Sequence, residues 1–199
     1  MPFTVSVILG SIRPGRQGIR AAKHIQGVLE SQGANVHFID PEVLNLPLFA
    51  VRYDYTPAEH RTPALNEVFA KFTESDAFVI VTPEYNHAYS PVISSLMNYF
   101  YHDEYYYKVA GIASYSMGPF GGQRGAIQLR PYLGELGLVS IPKLLAYPII
   151  QALLNEDGTV LSGAAGAGSI AESSSAFVTE LLWYAKALKT AVAGGKPIN

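Results

Sequence analysis

Three short stretches of this sequence combine residue types that could do chemistry. The first, residues 10–18, reads Gly-Ser-Ile-Arg-Pro-Gly-Arg-Gln-Gly. A serine, two arginines and several glycines ahead of a helical pattern make an anion site. The first amides of a helix have no partners of their own, and the helix dipole favours negative charge there. Ser11 offers a hydroxyl, and either Arg13 or Arg16 offers a charged fork. Two familiar phosphate loops do not fit. A Walker A loop needs Lys and then Ser or Thr where Arg16 and Gln17 stand, and the glycine spacing of a dinucleotide fingerprint is absent. Asp40 could have served a ribose, but beside Pro41 it reads as a turn residue. The loop therefore suits a terminal monophosphate better than a triphosphate or pyrophosphate.

The second stretch, residues 82–90, reads Thr-Pro-Glu-Tyr-Asn-His-Ala-Tyr-Ser. Its backbone amides and Asn86 could meet the polar edge of a flat ring, with Tyr85 covering apolar surface beside it. Pro83 and Asn86 could equally make a simple turn. Glu84 and His87 could form an acid/base pair, although a lone loop histidine is more often solvated. The third stretch, residues 114–124, reads Ser-Tyr-Ser-Met-Gly-Pro-Phe-Gly-Gly-Gln-Arg. Its glycines permit close backbone approach to a ligand. No serine lies in a G-x-S-x-G elbow, so a serine hydrolase is excluded.

These loops must be positioned by the elements around them. β-branched and apolar runs at 3–9, 36–39, 77–81, 109–114 and 138–141 predict five strands. Helical periodicity predicts five helices, at 19–29, 58–72, 91–102, 125–136 and 177–192. Apolar strands separated by helical crossovers predict a parallel sheet with helices on both faces. In such sheets ligands bind beyond the carboxyl ends of the strands. The three loops follow the first, third and fourth strands, so all three face one edge. The Gly/Ala/Ser-rich residues 162–175 read as an exposed, mobile excursion.

Composition narrows the function. With 199 residues the chain is expected to form one domain, 1–199. Hydrophobic residues are 49% and charged residues 15%, which excludes a disordered chain and predicts that another subunit covers part of the surface. Net charge is −2, so there is no basic excess for nucleic acid. The absence of cysteine excludes disulfides, thiol nucleophiles and thiolate metal sites. No apolar run reaches the length of a membrane span, and the N-terminus lacks the pattern of a signal peptide. A cytoplasmic protein is expected.

Gly-Ser-Ile-Arg after the first strand, Thr-Pro-Glu-Tyr-Asn after the third and Ser-x-Gly-x-x-Gly-Gly-x-Arg after the fourth, in that order, resemble the NADPH-dependent FMN reductase family. Leu46-Pro47-Leu48-Phe49 also looks like the family's segment after the second strand. The likeness spans residues 5–141. It implies a flavodoxin-like fold with strand order 2-1-3-4-5. It also implies an enzyme that passes hydride from NADPH or NADH through bound FMN to quinone-, azo-, flavin- or metal-type acceptors, with no catalytic protein residue and no metal. By the same resemblance, Ser11, Arg13, Gln17 and Gly18 would hold the FMN phosphate. Pro83, Glu84, Tyr85 and Asn86 would contact the ring and ribityl chain, and Ser116, Gly118, Gly121 and Gly122 would line the other side. A homodimer or homotetramer is implied. The chain departs from the family at Ala88, at Gln17-Gly18 and in the helix start around Ser94 and Ser95. Two rivals are a flavodoxin-like electron carrier, which would normally be strongly acidic, and a paralogue without NAD(P)H turnover.

Overall fold

The computed structural model describes residues 2–197. Five strands form one parallel sheet: β1 (Thr4–Leu9), β2 (Asn35–Ile39), β3 (Ala77–Pro83), β4 (Val109–Tyr115) and β5 (Val139–Tyr147). Their order is β2-β1-β3-β4-β5, the flavodoxin-like arrangement expected from the sequence. Every residue of β1, β3 and β4 is buried, as expected of predominantly apolar central strands, and the buried Ser6 hydroxyl of β1 is paired with that of Ser75.

The helices are α1 (Gly18–Ser31), α2 (Pro41–Leu44), α3 (Pro63–Glu74), α4 (Pro91–Met97), α5 (His102–Tyr105), α6 (Gln123–Leu136) and α7 (Ala167–Ala193). Short 3-10 turns lie at Tyr53–Tyr55, Ala58–His60 and Ile150–Ala152. One sheet face packs on α1 and α7 through Ile25, Leu29, Phe177 and Leu181. The other packs on α3 to α6 through Phe72, Phe100, Tyr105 and Leu129. No described helix, α7 included, is long and apolar enough to cross a membrane.

Four elements differ from expectation. The helix expected at 58–72 starts at Pro63, because Thr62 caps it by accepting from the Leu65 amide. The helix expected at 91–102 is split. Its terminal carbonyls are drawn elsewhere: Tyr105 donates its hydroxyl to the Met97 carbonyl, and the Tyr53 amide donates to that of Tyr99. β5 runs well past 141. Pro142 is accommodated because the strand is at the sheet edge and its register with β4 slips between Ala110 and Ile112. Finally, α7 begins at Ala167, so 167–175 are ordered helix and not a mobile excursion. Ile170 and Ser174 are buried there, and Ser174 is held by His24 of α1.

Candidate functional site

The loop between β1 and α1 is fixed mainly by its own side chains. Arg16 grips Asp40 with both guanidinium nitrogens, at 2.6 and 2.5 Å, reaches Glu42 at 2.8 Å, and donates to the Ser11 carbonyl at 2.9 Å. Asp40 also caps α2 by accepting from the Glu42 amide. Of the two arginines the sequence left open, Arg16 is therefore committed to the scaffold. Among the described residues Arg13 has no carboxylate partner, and its guanidinium lies 5.4 Å from the centre of the Tyr85 ring. Ser11 is buried. Its hydroxyl stands 3.0 Å from that of Tyr85 and accepts from the Arg13 amide at 3.3 Å. The Gln17 side chain is turned onto the loop, donating to the Gly15 carbonyl and accepting from Arg20.

The loop after β3 is a tight hairpin. Tyr85 and Ala88 exchange backbone hydrogen bonds of 2.9 and 3.0 Å, and the two residues between them, Asn86 and His87, both have left-handed backbones (φ +53° and +64°). This is the conformation of a type I′ turn, which asparagine tolerates and histidine adopts at a cost. Glu84 accepts from the Arg124 amide at 3.2 Å and pairs with its guanidinium at 3.3 Å, so the hairpin is tied to the start of α6. The His87 ring is 3.8 Å from Glu84, beyond hydrogen-bond reach. The Glu84–His87 acid/base reading is not supported, since the carboxylate already holds the loop in place.

After β4 the chain turns back on itself. Ser116 donates its hydroxyl to the Gly118 carbonyl at 2.7 Å. Gly121 and Gly122 are both left-handed and buried, and a Cβ on Gly122 would stand 2.6 Å from the Tyr115 carbonyl oxygen. Only glycine permits that approach.

The three loops meet around a cavity of about 240 Å³. Its wall takes Ser11, Arg13 and Gln17 from the first loop, Pro83, Glu84 and Tyr85 from the second, and Ser116 from the third. Seven of the expected site residues thus come together. Asn86 sits exposed at the hairpin tip, Gly118 is exposed on its loop, and Gly18, Gly121 and Gly122 are buried behind the wall. A second cleft of about 370 Å³ shares Ser11, Arg13 and Tyr85 and adds Ile12, Leu46, Leu48 and Val92. Sequence reasoning missed Tyr115, whose ring lines the first cavity. Burial pushes its phenol above the usual range, and Ser11 and the Gly18 backbone pull it back down. As the last residue of a strand buried on both faces, it gave no periodic signal.

The donor set suits FMN. A terminal monophosphate would meet a guanidinium without a carboxylate partner, a buried hydroxyl and the start of a 14-residue helix.

Comparison with known proteins agrees. Residues 3–150 match the model of the NADPH-dependent FMN reductase family. The NAD(P)H-dependent FMN reductase LOT6 of Saccharomyces cerevisiae is 27% identical over 146 residues, which is 66% of this chain and 74% of that protein. FerB, a flavoenzyme NAD(P)H:(acceptor) oxidoreductase from Paracoccus denitrificans, superposes with a TM-score of 0.73 at 22% identity, covering 92% of this chain and 98% of its own. RosB, solved with bound 8-demethyl-8-formylriboflavin-5′-phosphate, gives 0.66 at 17% identity over 99% and 89% of the two chains. At these identities the structural matches speak to fold alone.

Proposed function

The chain belongs to the NADPH-dependent FMN reductase family, and from that premise we propose which residues hold the flavin and which acceptors are served. It is an NAD(P)H-dependent oxidoreductase that uses FMN. When bound, FMN supplies the redox chemistry, taking hydride from NAD(P)H and passing electrons to an acceptor. The protein's part is binding and orientation.

In this reading Ser11 and Arg13 receive the phosphate, with the α1 start at Gln17 and Gly18 behind them. The observation that carries the assignment is the division of labour between the arginines: both line the cavity, but Arg16 is paired with Asp40 and Glu42, and Arg13 has no carboxylate partner among the described residues. Pro83, Glu84, Tyr85 and Asn86 contact the ribityl chain and ring largely through backbone. The hairpin uses the Tyr85 and Ala88 amides in its own bonds and leaves those of Asn86 and His87 at its tip. Amides held in place in this way stabilise negative charge without reorganising. Ser116, Gly118, Gly121 and Gly122 shape the opposite wall.

The apolar cleft beside Tyr85, with Ile12, Leu46 and Leu48, favours flat apolar acceptors such as quinones and azo compounds over hydrated metal oxyanions. Steady-state NADPH oxidation by the FMN-loaded protein tests this. Quinone should be turned over with a higher kcat/KM than chromate, and the reverse order would refute the assignment. We further propose that the whole chain is one folding unit and that Met117 and Phe120, both exposed, are covered in a homodimer or homotetramer. Light scattering at micromolar protein would read the mass directly.

A further inference from the structure

We propose that Tyr115 is itself a phosphate-binding residue, its hydroxyl standing beside the start of α1 and donating to the anion. The inference rests on the FMN reading above and adds a residue to it.

Tyr115 ends β4, yet its phenol reaches across to the loop after β1. A Cβ on Gly18 would lie 2.5 Å from the phenol oxygen and 2.6 Å from the ring edge. The phenol thus occupies the space that any side chain at position 18 would fill. Tyr115 is 6% exposed and Ser11 2% exposed, and both line the 240 Å³ cavity with Tyr85 and Arg13.

The count of protons gives the cluster its direction. Ser11 accepts from the Arg13 amide and contacts the Tyr85 hydroxyl at 3.0 Å. The Tyr115 hydroxyl stands beside the start of α1, at Gly18. A backbone amide can only donate, so the Arg13 amide feeds a hydrogen into the cluster. The hydroxyls of Ser11, Tyr85 and Tyr115 bring one proton each, and the Ser11–Tyr85 contact uses one. Two O–H groups are left over, beside a cavity that also carries the Arg13 guanidinium. Glu84, the carboxylate in the wall, is taken up by the Arg124 amide and guanidinium, so the surplus donors suit an acceptor-only ligand, and a phosphate is that ligand. Burial keeps the Tyr115 phenol protonated at neutral pH, so it remains a donor.

It follows that Tyr115 discriminates between flavins by their phosphate. The test compares FMN and riboflavin binding to the full-length apoprotein, read by quenching of flavin fluorescence. Tyr115→Phe keeps the ring and removes one hydroxyl. Its FMN dissociation constant should rise about tenfold or more, the scale of a lost bond to a charged group, while that for riboflavin stays unchanged. Gly18→Ala would displace the phenol and should give the same selective loss, which keeps the test available if the phenylalanine variant does not fold. Equal weakening for both flavins would mean that Tyr115 only packs, and unchanged FMN affinity would mean that it does not touch the phosphate. Either result overturns the inference and leaves the FMN reading standing. A wild-type protein that binds no FMN overturns both.

Discussion

The loop after β1 and the hairpin after β3 lie side by side at one edge of the sheet, but they are held in opposite ways. The first is held by side chains: Arg16 on Asp40 and Glu42, and Ser11 on Tyr85. The helix it feeds, α1, is braced likewise. Arg20 donates to the Leu154 carbonyl at 2.7 Å, and His24 bonds the Gly158 carbonyl and Ser174. The hairpin is held largely by backbone, through paired amides and two left-handed residues, with Glu84 on Arg124 and the Tyr85 hydroxyl on Ser11 as side-chain anchors. The first loop should therefore respond to changes of side chain. The second should tolerate them unless they alter the turn itself. The contrast also matches the proposed ligand, whose charged end needs charged and hydroxyl partners and whose ring edge needs amides.

The contrast is broken most directly at Arg16. Removing it leaves Asp40 and Glu42 facing each other, with Asp40 only 13% exposed. Arg16→Ala should cost about 3 kcal/mol of stability in urea unfolding, as expected when one member of a largely buried pair is deleted. A loss well under 1 kcal/mol would mean that the loop holds itself by backbone after all. Next in size, Arg13→Ala should weaken FMN binding by about 1.5–3 kcal/mol and leave the stability of the apoprotein unchanged. Unchanged FMN affinity would remove Arg13 from the phosphate site.

His87→Gly sharpens the comparison from the other side. Glycine adopts the left-handed position freely, so stability should rise by about 1 kcal/mol. Turnover with NADPH should not change, because the imidazole lies 3.8 Å from Glu84, beyond hydrogen-bond reach. A large fall in kcat would restore a chemical role for His87. The smallest effect is one of pH. His24 donates through Nδ1 to the Gly158 carbonyl, and burial holds its pKa below the ordinary 6.5. The unfolded chain therefore takes up this proton first as pH falls. Stability is full above pH 6.5 and is lost as pH drops from there towards the lower folded value. The acid limb of unfolding should be flatter in His24→Gln than in wild type, and identical slopes would rule out His24 as the cause.

Much of this was legible beforehand, for physical reasons that differ by element. β1, β3 and β4 are predominantly apolar runs, so their burial, and hence the parallel sheet, could be read locally. The three loops were visible because glycine, proline and charge gather where strands end. What escaped depends on partners far along the chain. Nothing near Arg16 distinguishes it from Arg13, since the deciding contact is with Asp40, 24 residues away. The first turns of α7 look like a flexible Gly/Ala/Ser run until His24, 150 residues earlier, reaches Ser174. Tyr115 was hidden because a residue buried on both sides of a central strand carries no periodic mark. Its importance lies in Gly18, whose missing side chain makes room for it.

The central claim is that the three loops hold a flavin that NAD(P)H can reduce. An absorbance spectrum of the FMN-reconstituted protein, recorded anaerobically before and after adding NADPH, tests it most directly. The account predicts a retained flavin band that bleaches rapidly on NADPH addition, and again with NADH if the nucleotide's 2′-phosphate is not read. A retained flavin that stays oxidised with both nucleotides would contradict the reductase assignment, and the carrier reading would take its place.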